Sequence, residues 1–337
     1  MTLAARWNYY RRIVPAYLGA GRSQLTFWHE TPEINPQATS AQLGPYYMLF
    51  REKANYSGPH DEAGIPLLDY RGSIGQQYNP IAIAQWGLAN CNIFYSARED
   101  YRRKTFLKSA NWLATYLEPN ACGLWVWNHH FDWEYRNTLK APWYSGLAQG
   151  QGVSLLLRAH AETGDGKYME AASRAFVSLT KTIAEGGVLF EDEENNLWIE
   201  EYIVDPPTHI LNGFMWALWG VFDYWLAVEC GADSPVRENS ALTARKVFDR
   251  GVKTLLLNLD RYDTGYWSLY EQSGARLKML ASPFYHRLHI MQLRVMAILT
   301  GDSRFTDFAE RWQGYADRRA NRARALVEKS VFKVLHY

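Results

Sequence analysis

Apolar and polar positions along the chain define two kinds of helical segment. Segments such as 81–97 and 211–228 are apolar on nearly every side, which is typical of helices buried inside a fold. Segments such as 302–318 are apolar along one face only, which is typical of helices that cover a core. A short turn joins each apolar helix to an amphipathic one, so the pattern predicts hairpins of one inner and one outer helix.

The turns inside these hairpins recur at an interval of roughly 67 residues, and a fixed period of this size indicates a repeat architecture. They lie at residues 98–100, 163–166, 230–233 and 300–302. The connections between successive hairpins carry short alternating or aromatic runs that predict β-hairpins. These connections span residues 117–143, 185–207 and 257–283. We therefore predict an all-α dominated fold, an (α/α) toroid or barrel of about four helical hairpins with short β-hairpins at one rim, with an ordinary helical bundle as the alternative.

The predicted repeat does not cover the whole chain. Residues 1–77 are rich in Tyr, Pro and Gly and are predicted to form an arm that packs on the main domain. Residues 78–318 contain the toroid, and residues 319–337 form a basic tail. The tail is interpreted as an exposed outer helix, and a peripheral contact with a membrane surface is the alternative.

Composition and charge narrow the classes of function. A formal net charge of +1 gives no reason to expect a nucleic-acid partner. The aromatic fraction is 15%, with 14 Trp and 22 Tyr, which favours a site with the flat, amphipathic walls that sugar rings contact. Three scattered cysteines indicate neither a disulfide framework nor a metal site. Neither a signal peptide nor an apolar stretch of about 18 residues is evident, so a cytoplasmic location is expected, with the membrane surface as the alternative.

Two adjacent carboxylates and a phenol form the first candidate site. Glu200, Glu201 and Tyr202 follow an aromatic run and precede the pair 206–207, whose prolines disfavour helix in the residue before them. An apolar helix is predicted to begin near residue 211, with Asn212 in its first turn. Polar groups this close to apolar surroundings are unfavourable unless they are paired or used. The alternative is a strand edge with solvated glutamates, followed by a core helix.

Further polar and aromatic side chains fall near the predicted starts of other inner helices. Tyr270 lies in the last connection, and Tyr285 and His286 open the last inner helix, where His286 is a candidate to hold a carboxylate. Gln149 and Gln151 begin an earlier inner helix and suit hydrogen bonding to hydroxyl groups. No cofactor fingerprint or convincing metal-ligand set accompanies these residues, so neither cofactor nor metal is expected. The set suits proton transfer, with Glu or tyrosinate as base and neutral Tyr as acid.

Five segments resemble, in order and approximate spacing, the C-terminal catalytic domain of the D-glucuronyl C5-epimerase family. They read W-Y-S-G-L-A-Q-G-Q-G-V-S-L-L-L-R-A at 143–159, W-I-E-E-Y at 198–202, L-N-G-F-M at 211–215, Y-D-T-G at 262–265 and Y-H-x-x-H-x-x-Q-L at 285–293. Each segment is weakly specific by itself, but five in order are specific. The resemblance extends over residues 78–317 and implies an (α/α) toroid that acts on a polymer of hexuronic acid.

The resemblance also implies catalytic roles for particular residues. Glu201 matches the family's catalytic glutamate, and Tyr202 matches the tyrosine beside it. Tyr285 matches the catalytic tyrosine, and Tyr270 matches a further tyrosine of the site.

Substrate-binding positions follow from the same resemblance, with one departure. Asn212 matches a substrate-binding asparagine, and Trp216 stands where the family has an aromatic substrate contact. The family carries a substrate-binding arginine three residues after the tyrosine matched by Tyr270, but here that position is Ser273. Arg276 or Arg287 is therefore predicted to supply the positive charge.

The expected function is that of a carbohydrate epimerase. We expect conversion of D-glucuronate to L-iduronate residues within a glycan chain, as in heparan-sulfate-like biosynthesis, by removal of the C5 proton and reprotonation on the opposite face. A polysaccharide lyase shares the first step and is the first alternative. A non-catalytic glycan-binding protein is the second. The expected partner is a uronate-containing polysaccharide, and a homodimer is left open.

Overall fold

In a computed structural model, the protein is described for residues 27–229, 235–274 and 277–336. Part of the predicted arm, the third hairpin turn and Arg276 lie outside these ranges. Ten α-helices occur in the described ranges. They are α1 (Arg51–Ala54), α2 (Pro80–Ala97), α3 (Asp100–Thr115), α4 (Gly146–Thr163), α5 (Gly166–Phe176), α6 (Leu211–Glu229), α7 (Pro235–Asn258), α8 (Pro283–Thr300), α9 (Ser303–Asp317) and α10 (Arg319–His336).

Local sequence fixes where the helices begin and end. The Asn79 side chain accepts hydrogen bonds from the backbone N–H groups of the first turn of α2, where Pro80 sacrifices no hydrogen bond. Gly164 ends α4 and Gly301 ends α8, each with positive φ, and an aspartate then caps the following helix. The helix–helix turns predicted at residues 163–166 and 300–302 are therefore confirmed. At the first hairpin the left-handed position belongs to Arg98 instead of a glycine.

The helices form two layers. Helices α2, α4, α6 and α8 make the inner layer, in which α4 packs on α2 and α6, and α6 packs on α8. Each is followed by its outer partner, α3, α5, α7 and α9 respectively. Helix α4 approaches α6 so closely that a β-carbon at Gly150 would lie 2.6 Å from the Ala217 α-carbon. The fold is an all-α dominated (α/α) toroid of four helical pairs, as the sequence predicted.

Short strand pairs lie before the first inner helix and in the connections from α3 to α4 and from α5 to α6. The described ranges contain ten strands: β1 (Leu68–Asp69), β2 (Gln76–Gln77), β3 (Glu118–Pro119), β4 (Trp125–Val126), β5 (Asn128–His129), β6 (Trp133–Glu134), β7 (Thr138–Leu139), β8 (Trp143–Tyr144), β9 (Leu189–Glu191) and β10 (Leu197–Ile199). The antiparallel pairs are β1–β2, β3–β4, β5–β8, β6–β7 and β9–β10. Because these connections join helices in the same sense, the hairpins share one rim.

The hairpin predicted at residues 265–270 differs from the prediction. Among the described residues it contains only isolated bridges, Asp263 to Ser268 and Leu269 to Leu280, and no continuous strand pair. Two further backbone hydrogen bonds, Tyr270 N to Met279 O (2.8 Å) and Ala281 N to Ser268 O (2.9 Å), extend the contact. The segment that ends in Tyr270 is thus held against the approach to α8 by a few well-placed bonds.

Segments outside the four pairs also pack on the inner layer. The Tyr47 hydroxyl donates to Asp223 of α6 (2.6 Å), which forms a fully buried ion pair with Arg158 of α4 (2.6 Å). At the other end of the chain, Lys329 of α10 donates to the Leu280 carbonyl (2.6 Å). Helix α10 occupies the region predicted as a basic tail. Across the described ranges, we find no helix with the length and apolar character needed to span a membrane.

Candidate active site

Two backbone hydrogen bonds bring distant connections together at the hairpin rim. The Gly146 N–H, at the start of α4, donates to the Glu200 carbonyl (2.9 Å). The Leu211 N–H, at the start of α6, donates to the Tyr270 carbonyl (3.1 Å). Both donors belong to first turns, whose N–H groups have no partner inside the helix. Each helix start therefore fixes one connection, and together they place the residues after β10 beside Tyr270.

The two adjacent glutamates have different environments. Glu200 accepts hydrogen bonds from the backbone N–H of His209 (3.1 Å) and from its ring Nδ1 (2.5 Å). The His209 ring stacks on Trp198, with ring centroids 4.2 Å apart. Glu200 therefore stabilises the loop between β10 and α6. Glu201 is left as the carboxyl group that faces the predicted site.

The Glu201 carboxyl is buried and has no cationic partner among the described residues. Glu201 is 5% exposed, and Asn212 Nδ2 donates to its Oε2 (3.4 Å). Burial raises the pKa of Glu201 to about 8, and the negative charge of Glu200 acts in the same direction. Hydrogen bonds from Tyr202 and Asn212 partly oppose the rise. A carboxyl group with a pKa near neutrality can both accept and donate a proton at physiological pH.

Four phenols cluster at the site, and two of them, Tyr202 and Tyr270, interact with this carboxyl group. The rings of Tyr270 and Tyr285 meet edge to face at 5.0 Å, and those of Tyr202 and Tyr135 lie 4.6 Å apart. Burial raises the pKa of Tyr270 well above its usual value, and negative charge on Glu201 raises it further. Negative charge on Glu201 or on any of the three other tyrosines raises the pKa of Tyr270, so the five side chains interact electrostatically. Tyr270 is therefore a neutral hydrogen-bond donor at physiological pH.

A third buried glutamate at this site, Glu271, was not foreseen from the sequence. Glu271 has a fully buried side chain and accepts a hydrogen bond from the Tyr135 hydroxyl and two from Arg136, including one from Nε at 2.6 Å. Its charge contributes to the raised pKa of Glu201. Two signals in the sequence point to this cluster. Glu271 directly follows a predicted site tyrosine, and the β6–β7 turn carries an arginine among aromatic residues.

Asn212 and Trp216 lie one helical turn apart and therefore share a face of α6. Trp216 is 6% exposed and packs near Phe50, with ring centroids 6.3 Å apart. Within the described part of the chain, Asn212 Oδ1 and Trp216 Nε1 are buried without a hydrogen-bond partner. Buried polar atoms normally have partners, so this unpartnered acceptor and donor are suited to a bound ligand.

Two other predicted site residues, Gln149 and Gln151, lie inside the core. The amide of Gln149 bonds with the backbone of Trp127 and with the Ser145 carbonyl, while Gln151 accepts from the Gln85 amide (3.1 Å). Both glutamines are fully buried. These contacts tie α4 to a hairpin and to α2. The glutamines were predicted to bind hydroxyl groups of a substrate, but in this structure their hydrogen bonds are made with protein groups.

His286 is likewise part of the core. Its Nδ1 accepts from the Ser268 N–H (3.2 Å), and its Nε2 donates to the Trp312 carbonyl (3.0 Å). The ring stacks on Trp267 at 3.8 Å and is fully buried, and burial lowers its pKa to about 4. Both ring nitrogens are therefore occupied by protein groups. Among the described residues, no group of three His, Cys, Asp or Glu side chains is placed to hold a metal ion.

The predicted substitutes for the family arginine fall elsewhere. Arg287 is exposed, and its Nε donates to the Pro283 carbonyl (3.3 Å). It lies two residues after Tyr285 in α8 and therefore projects from the opposite side of the helix. Arg276 lies outside the described residues. Ser273 itself is half-buried.

The fold and the site together define a helical-toroid domain with a buried carboxyl group beside tyrosine side chains at its hairpin rim. The sequence model of the family described as D-glucuronyl C5-epimerase C-terminus matches residues 119–314. The chain belongs to this family.

The chain is also similar to individual proteins. The chain is 31% identical over 224 residues to the D-glucuronyl C5-epimerase of Caenorhabditis elegans, which covers 65% of this chain and 36% of the nematode protein. It is 26% identical over 191 residues to an uncharacterised protein of Methanocaldococcus jannaschii, covering 56% and 57% of the two chains. The chain thus spans well under two thirds of each relative. A solved structure of a UGL variant with dGlcA-Glc-Rha-Glc is 13% identical, with a TM-score of 0.43 over 70% of this chain and 61% of that one.

Proposed function

We propose that the protein is a polysaccharide uronate C5-epimerase that converts D-glucuronate to L-iduronate residues within a glycan chain. The observation that carries the proposal is the Glu201 carboxyl group, which is buried without a cationic partner among the described residues and has Tyr202 and Tyr270 as neighbours. Membership in the D-glucuronyl C5-epimerase family supports a carbohydrate epimerase, and the uronate substrate is part of the proposal.

The reaction requires two proton-transfer groups on opposite faces of the sugar ring. One group removes the C5 proton, which lies α to the carboxylate, and the electron pair of the broken C–H bond moves into an enediolate. The second group then donates a proton to C5 from the other face, and the chain stays intact. We assign Glu201 and Tyr285 to these two positions. Proton transfer by a positioned side chain contributes about 10²- to 10⁴-fold to a rate.

The neighbouring groups can stabilise the enediolate. Charge that develops on the carboxylate oxygens is best stabilised by donors already aimed at them in a site with little water. Tyr270 suits this role because it is neutral and its backbone is fixed to the start of α6. Tyr202, which hydrogen-bonds to Glu201, is placed to hold that carboxyl group in position.

The sugar ring would be oriented by the face of α6. We assign the unpartnered Asn212 Oδ1 to a ring hydroxyl that donates a hydrogen bond, and Trp216 Nε1 to one that accepts. The Trp216 ring also offers an apolar surface on which a sugar can stack. We also propose that the substrate is a uronate-containing polysaccharide.

Solvent exchange tests the proposal directly. Purified protein is incubated with glucuronate-containing polysaccharides in deuterated water, and C5 is examined by nuclear magnetic resonance. We expect deuterium at C5, iduronate as product and no loss of chain length. Chain cleavage with new unsaturated ends would instead make the protein a lyase. Binding without exchange across a broad panel of uronate polymers would contradict catalysis and favour a glycan-binding role.

A further inference from the structure

We propose that Arg136, at the tip of the β6–β7 hairpin, binds the carboxylate of the substrate uronate. This inference rests on the proposed function and adds the residue that recognises the charge of the substrate. Ser273 has no positive charge with which to bind this carboxylate. Arg287 is exposed and projects from the side of α8 opposite Tyr285, so it does not face the site.

The reaction creates a specific need for a cation. A uronate brings a negative charge into a site that already holds Glu200, Glu201 and Glu271, and an uncompensated buried charge is strongly unfavourable. Glu200 is paired with His209, and Glu201 has no cationic partner in the described part of the chain. A guanidinium group suits this position because its fork matches the two oxygens of a carboxylate.

The β6–β7 hairpin is fixed beside the site by contacts on both sides of Arg136. Asn137 Nδ2 donates to the Asp205 carbonyl (2.9 Å), which ties the hairpin to the loop that follows Tyr202. On the other side, the Tyr135 ring lies 4.6 Å from the Tyr202 ring. Arg136 is thus carried by a turn whose neighbours both contact the segment that contains the catalytic glutamate.

Glu271 orients the guanidinium without using all of its donors. Nε and Nη2 of Arg136 both donate to Oε1 of Glu271, and the Tyr135 hydroxyl occupies Oε2. The Glu271 side chain is fully buried, but the Arg136 side chain is 22% exposed. Arginine has five N–H donors, and among the described residues Nη1 has no partner. The inner edge of the guanidinium is fixed, and its outer edge remains available to a ligand.

Contacts of the cluster place Arg136 near the proposed reacting groups, because the Tyr135 hydroxyl donates to Glu271 and the Tyr135 ring lies 4.6 Å from the Tyr202 ring. Glu271 is next to Tyr270 in the chain, and its charge acts on Glu201. Tyr135 and Arg136 both donate hydrogen bonds to Glu271, and Tyr135 contributes to the raised pKa of Tyr270. A carboxylate held by Nη1 of Arg136 would therefore lie close to the phenols that stabilise the enediolate and to the proton-transfer group Glu201.

The first test replaces the guanidinium group of Arg136 by the ammonium group of lysine. Arg136→Lys retains a cation for Glu271 and loses the second donor group, so we expect a 10- to 100-fold higher KM and a smaller change in kcat. Arg261→Lys is the matched control, since Arg261 also pairs with a glutamate, Glu194, but on the exposed surface. The control should retain wild-type KM and kcat. Wild-type kinetics in Arg136→Lys would overturn the assignment.

A binding readout separates recognition of charge from a purely structural role. Affinity is measured for a glucuronate oligosaccharide and for the same oligosaccharide with its carboxyl groups reduced to alcohols. Wild-type protein should prefer the carboxylate form, and Arg136→Lys should lose at least tenfold of that preference. If the variant keeps the preference, Arg136 serves only the hairpin, and the proposal fails.

A double variant guards against misfolding, because removing Arg136 alone would leave Glu271 buried and unpaired. Arg136→Gln combined with Glu271→Gln removes both charges, and we expect loss of the carboxylate preference in a folded protein. Ser273→Arg added to this background should restore part of it, and absence of any restoration would count against a cation as the missing element. If wild-type protein exchanges no C5 proton with any uronate polymer, the proposed function fails. If it does and the Arg136 variants match it, only this inference fails.

Discussion

Gly213, in the first turn of α6, packs against the side chain of Glu201. A β-carbon at position 213 would lie 2.7 Å from the Glu201 β-carbon and closer still to Oε2. Real β-carbons essentially never approach another heavy atom so closely. The absence of a side chain at Gly213 therefore makes room for the buried carboxyl group. This explains why the L-N-G-F-M segment has a glycine at this position.

Gly213→Ala should impair activity much more than stability. The new methyl group would displace the Glu201 carboxyl and break its contact with Asn212, so we expect at least a tenfold lower rate of C5 proton exchange. Gly314→Ala in α9 is the matched control, because no atom lies within 4 Å of a β-carbon built there. This control should stabilise the protein by about 0.5–1 kcal/mol and leave the exchange rate unchanged. Equal exchange rates in the two variants would contradict the role of Gly213.

Stability should depend on pH through Glu201. The folded pKa of about 8 lies above the usual value of 4.5, so the folded state holds the proton more tightly than the unfolded state. The contribution of Glu201 is fully present below pH 4.5 and is lost as pH rises to about 8, at about 1.4 kcal/mol per pH unit. Glu201→Gln should abolish C5 exchange and flatten this decline, so that the variant is the more stable protein at pH 8. Denaturant unfolding from pH 5 to 9 measures the difference.

Tyr285→Phe should abolish exchange without unfolding the protein. Phenylalanine keeps the ring contacts with Tyr270 (5.0 Å) and Phe284 (5.0 Å) and removes only the hydroxyl group. We expect the exchange rate to fall by about 10²- to 10⁴-fold. Tyr101→Phe is the control, since Tyr101 is 55% exposed on an outer helix. Undiminished exchange in a well-folded Tyr285→Phe protein would remove Tyr285 from the mechanism.

His286 should matter for stability and not for substrate affinity. His286→Phe keeps a ring to stack on Trp267 but removes the hydrogen-bond partner of the Ser268 N–H and of the Trp312 carbonyl. Each unpartnered buried group costs about 1–3 kcal/mol, so the variant should unfold at lower denaturant concentration. KM for the uronate polymer should stay unchanged. A raised KM with unchanged stability would return His286 to the substrate-binding set.

The same substitution predicts a pH effect of the opposite sign from Glu201. The pKa of His286 falls from 6.5 to about 4 on folding, so the unfolded state binds the proton more tightly between these values. Stability contributed by neutral His286 is present above pH 6.5 and is lost as pH falls toward 4. Unfolding curves of wild-type protein and His286→Phe between pH 4 and 7 should converge as the pH decreases.

The sequence determined the helical pairs and the residues that bound them. Apolar periodicity and the Gly-Asp turns are local properties, because a helix buries whichever face its sequence makes apolar and ends where a glycine takes positive φ. Strand pairing at 265–270 was predicted less well. Ladder bonds there join residues on either side of a loop, and such pairing depends on tertiary contacts as well as local pattern.

For the site, the sequence and its family resemblance named Glu201, Tyr202, Tyr270, Tyr285 and Asn212. Only the tertiary structure decided which neighbouring groups surround them. In the folded chain Glu200 hydrogen-bonds to His209, and His286, Gln149 and Gln151 are buried in the core. The tertiary structure also brought Arg136 to Glu271 from 135 residues away. Partners of this kind are chosen by burial and charge once the chain is folded, because a buried charge must be paired wherever its partner lies in the sequence.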